Sequence, residues 1–122
     1  MLKMNYDIQS IARKLVKDKI DKDNNFKKQY KTTVKSMGSM IIQNGLYGTL
    51  VFYKAKSSKK EVYDSVYKDI FYYLKESGIF VCDKEDVLEE LQNTDLPYLQ
   101  EKVLEFANWY RRFVDIYIPS ED

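Results

Sequence analysis

The C-terminal part of the chain carries the sequence feature that most limits its fold, an apolar seam with strict helical spacing. Six apolar residues follow one another at alternating intervals of four and three positions: Leu99, Val103, Phe106, Tyr110, Phe113 and Tyr117. At 1.5 Å per residue the seam is about 30 Å long, and a heptad-like repeat is typical of a helix packed along its whole length. Pro97 fits the first turn of this helix, because a proline lacks an amide that the first turn leaves unpaired.

Earlier segments of the chain repeat the spacing of three and four residues. The first apolar stripe comprises Met4, Ile8, Ile11, Ala12, Leu15, Val16 and Ile20. The second comprises Phe26, Tyr30, Val34, Met37 and Ile41, and the third comprises Val62, Val66, Ile70 and Leu74. A short acidic helix would then bury Val87, Leu88 and Leu91. Because this period marks one face of an amphipathic helix, each stripe predicts a helix packed on the others.

Residues 46–55 allow two interpretations. Their β-branched and aromatic residues favour a strand, whereas Leu46, Leu50 and Tyr53 continue the helical spacing. We favour a buried helix, because other strand candidates are short and scattered, and a small three-stranded sheet is the alternative. Only four glycines and two prolines are present, too few for the turns of an all-β domain. We therefore predict an all-α fold in which residues 1–122 form one domain, a single compact bundle of five to six helices.

Residues with special backbone or capping properties predict where the helices end. We expect side-chain caps at three helix starts: Asn25, Ser58 with Glu61 three residues later, and Asp83. Gly45 is expected to end the second helix, because glycine readily adopts the positive φ of a C-terminal cap. Gly38 lies inside that helix, so we also expect a kink or break near residues 37–39.

Composition argues against most kinds of catalysis. Histidine is absent, which excludes serine and cysteine triads and histidine-containing metal sites. Acidic pairs such as Asp69 with Glu76 are interpreted as solvated helix faces, and the single cysteine, Cys82, as an inert buried thiol. We expect no catalytic residue, no metal, no cofactor and no small-molecule substrate. Because no secretion signal and no membrane span is recognisable, we expect a cytoplasmic protein that does not contact membranes.

Charge is distributed unevenly along the chain. Residues 1–60 carry 14 lysines and arginines against 4 acidic residues, and residues 61–122 carry 6 against 15, so a net charge of +10 is followed by one of −9. Arg13, Lys14, Lys17 and Lys19 are placed on the polar face of the first helix. We expect the first two helices to be antiparallel neighbours whose lysines merge into one basic patch. Such a patch would bind phosphates without reading bases.

Two segments resemble the signatures of a known family. Residues 39–56, with Asn44-Gly45-Leu46 followed by Thr49-Leu50 and an aromatic residue, are similar to the hallmark of the small all-helical subunit of Cmr-type (type III-B) CRISPR effector complexes. Residues 106–113 resemble the other signature of this family, a tryptophan followed by basic residues near the end of the last helix.

The resemblance implies a non-catalytic scaffold protein. Several copies would stack along a filament of backbone subunits and help to hold the guide RNA and its target RNA, while a backbone subunit cleaves RNA and the large subunit makes cyclic oligonucleotides. Partners would be the backbone subunits, sister small subunits, guide RNA and target RNA. Asn44 and Gly45 would be structural. The candidates for RNA contact are Lys14, Lys17, Lys27, Lys28, Lys31, Lys35, Lys54, Lys56, Arg111 and Arg112.

Two other functions stay open from the sequence alone. One is a helical adaptor that binds only proteins, with Tyr47, Tyr53 and the last helix as its contact surface. Among the tyrosines, Tyr47, Tyr53 and Tyr98 are the candidates for partner contacts. The other, much less favoured, is a magnesium-dependent nuclease that uses Asp83 and Asp86; it is disfavoured because no acidic cluster is expected near the basic face.

Overall fold

The computed structural model describes residues 7–119, which form five α-helices. Their bounds are α1 Ile8–Lys17, α2 Asn24–Lys56, α3 Glu61–Glu76, α4 Val87–Gln92 and α5 Leu96–Tyr117. No strand occurs between residues 7 and 119, so the all-α prediction is confirmed and the three-stranded alternative is wrong. Met4, which begins the first predicted stripe, lies outside the described residues. Within the described part of the chain, no helix combines the length and apolarity needed to cross a membrane.

α5 lies at the centre of the bundle. It packs on α1 and α2, while α3 covers α2 and, to a smaller extent, α1. The first four residues of its apolar seam are buried, but Phe113 and Tyr117 are only half-buried, and Val114 is buried in their place. An α-helix drifts by about 20° per heptad relative to an exact 3.5-residue repeat, so Val114 rotates toward the core in the last turns.

α2 changes direction at Gly45. This residue has φ 77° and ψ 159°, a conformation that an L side chain rarely adopts. In a straight helix the Cα atoms of residues 29 and 56 would be about 40 Å apart. The four residues that follow, 57–60, can span at most about 14 Å. Gln29 and Lys60 nevertheless line the same groove. The second half of α2, residues 46–56, therefore folds back along the first half, residues 24–44.

The reversal is held by a contact from the central helix. The side-chain oxygen Oε1 of Gln100, on α5, accepts the backbone amide of Leu46 at 2.8 Å, so it caps the first turn after the reversal. The predicted positive φ at Gly45 is correct, and it separates two helical halves. Gly38 stays helical, so the break predicted at residues 37–39 lies seven residues later.

The helix starts use different caps from those predicted. Asp23, not Asn25, accepts the amide of Phe26 at the start of α2. Asp86, not Asp83, accepts the amide of Glu89 at the start of α4. α3 begins after Lys60 with no side-chain cap, so the capping box predicted from Ser58 does not form. At α2 and α4 several polar residues precede the helix, and the one next to its first turn reaches the free amides. At α3 this position is Lys60, whose side chain has no acceptor atom for an amide.

Candidate nucleic-acid interface

Four lysines form a basic ridge on the outer surface of α2. Lys27, Lys28, Lys31 and Lys35, which we call the α2 ridge, fall within about 100° of arc and about 12 Å of length on an ideal helix. The adjoining face of α2 is buried in the core through Tyr30, Val34 and Met37. The four lysines therefore share one face of α2, but their ammonium groups have different surroundings.

Two ridge lysines hold the C-terminal end of α5. Lys31 donates to the backbone oxygen of Ile118 at 2.8 Å and lies 3.6 Å from Asp115, while Lys35 lies 3.0 Å from the same carboxylate. The last turn of α5 contains no basic residue of its own, so these lysines supply the positive charge that a helix C-terminus favours. The hydrogen bond from Lys35 and the charges of both lysines lower the pKa of Asp115.

The remaining two ridge lysines differ from each other. Lys27 is half-buried and donates to the backbone oxygen of Ile20 at 3.2 Å. Lys28 is exposed and forms no ion pair with any residue between 7 and 119. Of the ridge amines, Lys28 is thus the most available to an external anion.

Two surface grooves flank the first half of α2. The α2–α3 groove, of about 340 Å³, is lined by Asn25, Lys28, Gln29, Thr32, Thr33, Lys60, Val62 and Tyr63. The α2–α5 groove, of about 490 Å³, is lined by Lys35, Gly38, Ser39, Glu101, Leu104, Glu105, Ala107, Asn108 and Arg111. Carboxylates line the second groove but not the first, so the two differ in electrostatic character.

The helix pairing predicted for the start of the chain is wrong. α1 packs chiefly on α5 and partly on α3, and not as an antiparallel neighbour of α2. Lys14 pairs with Asp18 at 3.3 Å and lies over the ring of Tyr72, and Lys17 lies 5.7 Å from the centre of the Tyr117 ring.

Three other candidates for RNA contact lie against aromatic rings. Lys54 is exposed over Tyr67, Lys56 is half-buried over Phe52, and the guanidinium of Arg112 lies 5.1 Å from the Trp109 ring. Cation–π contacts of this kind orient a side chain without removing its charge. Arg111 is exposed in the α2–α5 groove. The ten candidates thus occupy several faces.

A buried ionic cluster was missed by the sequence analysis. Lys19 was placed on a polar face and Asp69 on a solvated one, but they pair at 2.8 Å with side chains only 9% and 8% exposed. The hydroxyl of Tyr110 donates to the same oxygen of Asp69, and the hydroxyl of Tyr30 lies 2.9 Å from that of Tyr110. The four residues join the end of α1 to α2, α3 and α5, and we call them the Lys19–Asp69 cluster.

Burial dominates the titration of this cluster. It raises the pKa of Asp69 even though Lys19 and both tyrosine hydroxyls favour the charged carboxylate. It also raises the pKa of Tyr30 and Tyr110 far above that of an exposed tyrosine, and the nearby carboxylate acts in the same direction. The spacing contained a signal: Asp69 lies three residues after Val66, and Lys19 lies four after Leu15, both at core intervals.

The three tyrosines proposed for partner contacts have different environments. Tyr98 is 46% exposed, and Tyr47 is half-buried. Tyr53 is only 1% exposed and stacks on Tyr63, so its assignment to a partner surface was wrong. Its hydroxyl has no hydrogen-bond partner among the described residues, and burial raises its pKa. The burial of Tyr53 agrees instead with its place in the helical spacing that predicted a buried helix over residues 46–55.

The fold and its surface describe a small all-helical protein with basic side chains on separate outer faces. A protein-family model described as CRISPR-associated protein (Cas_Cmr5) matches residues 5–117, nearly the whole chain. A curated relative from Thermotoga maritima, named CRISPR system Cmr subunit Cmr5, is 32% identical over 124 aligned positions, which cover 100% of this chain and 90% of the relative. The chain belongs to the Cas_Cmr5 family, and the resemblance drawn from residues 39–56 and 106–113 is confirmed.

Proposed function

We propose that the chain is a non-catalytic scaffold subunit of a type III-B (Cmr) CRISPR effector complex in the cytoplasm. It would stack beside sister small subunits along the backbone subunits and help to hold guide RNA and target RNA through its basic side chains. Family membership supports the assignment to a Cmr complex and hence to other Cmr subunits as partners. The name of the curated relative likewise describes a subunit and no reaction.

The observation that carries the RNA-holding role is the set of exposed cations without an internal counter-charge. Among residues 7–119, no carboxylate within 4 Å pairs with Lys17, Lys28, Lys54 or Arg112. Lysine predominates, which suits sequence-independent attraction to a phosphate backbone better than bidentate recognition. Lys31 and Lys35 already neutralise Asp115, so we assign them mainly to the stability of the bundle.

Binding of RNA over a series of salt concentrations tests the proposal. The full-length protein should bind single-stranded RNA without sequence preference, and its affinity should fall steeply as salt rises. The variant K28E/K54E should bind more weakly at every salt concentration. The matched variant R13E/K75E reverses two exposed basic residues that are not among the candidates and make no ion pair within residues 7–119, and it should bind like the wild type.

Co-purification from the native host separates RNA contact from protein contact. A tagged chain should bring down the other Cmr subunits together with guide RNA. If the subunits stay bound after complete RNase digestion, and K28E/K54E changes neither RNA binding nor assembly, the chain is a protein-only adaptor and its RNA-holding role is refuted.

A further inference from the structure

We infer that RNA follows the α2–α3 groove, where Lys28 and Lys60 contact successive phosphates. The inference rests on the proposed function, because it takes RNA as the partner and assigns the place and mode of contact. Lys60 was not among the residues predicted from the sequence. It lies just before the first turn of α3 and lines the groove together with Lys28.

The groove has the composition expected of a phosphate-binding surface. Besides its two lysines it contains the side-chain amides of Asn25 and Gln29, and no carboxylate lines it. The hydroxyl of Thr32 also lines the groove but donates to the backbone oxygen of Lys28 at 3.1 Å. Lysine ammonium groups and side-chain amides donate hydrogen bonds, which phosphate oxygens accept. Lys28 and Lys60 are exposed and make no ion pair within the described part of the chain.

Acidic residues close to the groove are already occupied by other groups. Glu61, next to Lys60, pairs with Lys22 at 3.0 Å. Asp23, at the start of α2, accepts the amide of Phe26 at 2.8 Å. Their charges are thereby partly compensated by internal contacts, and the positive charge of Lys28 and Lys60 is left without a direct partner.

The α2–α5 groove, which also lies beside α2, does not have a lining free of carboxylates. Lys35 and Arg111 line it, but so do Glu101 and Glu105, and Lys35 pairs with Asp115 at 3.0 Å. A phosphate chain entering this groove would meet carboxylates as well as cations, and like charges repel it. Of the two grooves beside α2, the α2–α3 groove is therefore the one with charge complementary to RNA.

The test removes two charges from each groove in turn and measures RNA affinity and its salt dependence. K28Q/K60Q should bind at least tenfold more weakly at low salt, and the slope of log affinity against log salt should fall by about 1.4, since each phosphate contact on a single strand accounts for about 0.7. R13Q/K75Q, which removes two exposed cations that also make no ion pair within the described residues, serves as the matched control. In the assembled complex, crosslinks to RNA should map to the peptides that contain Lys28 and Lys60.

Three other results would count against the inference in different ways. If K35Q/R111Q loses affinity and K28Q/K60Q does not, RNA follows the α2–α5 groove, and the proposed function stands with another site. If crosslinks in the complex map only to α1 or α5, the path is also wrong. If the wild-type chain contacts no RNA either alone or in the complex, both the groove and the RNA-holding function are refuted.

Discussion

Two contacts between lysine and aspartate, one buried and one exposed, organise different regions of the molecule. In the core, Lys19 and Asp69 pair at 2.8 Å with side chains less than 10% exposed. At the end of α5, Lys35 and Asp115 pair at 3.0 Å with side chains 40% and 47% exposed. The chemical groups and distances are nearly the same, so burial is the main difference between them.

Burial reverses the direction of the aspartate pKa. Asp115 is close to water and its pKa is lowered, because Lys35 and Lys31 favour its charged form. Desolvation raises the pKa of Asp69, although its neighbours favour the charged form. A close lysine therefore does not by itself make an aspartate more acidic. In the core, the charge of Lys19 offsets part of the desolvation cost of the Asp69 carboxylate. Asp115 stays in contact with water and has little such cost.

Removing the buried carboxylate should have the largest effect. Asp69→Asn leaves the ammonium of Lys19 buried without a counter-charge, and we expect it to lower the free energy of unfolding by about 3 kcal/mol or more. Asp115→Asn, in contrast, should cost less than about 1 kcal/mol, because exposed ion pairs contribute little. Urea denaturation at neutral pH, followed by circular dichroism, measures both.

The double variant K19M/D69N separates lost charge from lost packing. It contains no buried charge, and the methionine keeps most of the volume of the lysine stem, so it should recover part of the stability lost in D69N. Equal costs for D69N and D115N would show that burial does not distinguish the two pairs.

The next largest difference in the free energy of unfolding is expected between two tyrosine hydroxyls, one inside the Lys19–Asp69 cluster and one outside it. Tyr110→Phe removes a hydrogen bond to a buried carboxylate and should cost about 2 kcal/mol. Tyr53→Phe removes a buried hydroxyl that has no partner among the described residues, so it should be neutral or stabilise by up to about 1 kcal/mol. Thermal and urea unfolding of the two variants measure this. A loss of stability in Y53F equal to that in Y110F would contradict the assignment.

The sequence predicted the helices and most of the core because hydrophobic periodicity is a local signal. The positive φ of Gly45 and the apolar stripe of α3 were correctly predicted from neighbouring residues alone; the stripe comprises Val62, Val66, Ile70 and Leu74. Caps were less predictable, since Asp23 lies beside other capping residues and only the exact start of α2 selects it. The sequence on either side of Gly45 does not determine the angle between the two halves of α2. Their reversal was therefore not predicted.

The candidate site could be predicted only as a set of cations. Sequence identifies Lys28, Lys31 and Lys35 as basic and outward-facing, but not which carboxylates they meet. Asp115 lies 80 positions after Lys35, and only the packing of α2 on α5 brings them together. The same is true of Lys19 and Asp69, which are 50 positions apart. Pairing between distant segments therefore separates structural lysines from lysines that are free to bind RNA.

The smallest effect is the pH dependence of the exposed pair. Asp115 has a lowered pKa in the folded state, so its contribution to stability is present above the unfolded value near 3.8 and is lost as pH falls through the folded pKa. Between about pH 6 and pH 3, the stability difference between wild type and D115N should therefore shrink on acidification. Urea unfolding of the two proteins at intervals across this range provides the measurement. If the difference stays constant or grows as the pH falls, the lowered pKa assigned to Asp115 is wrong.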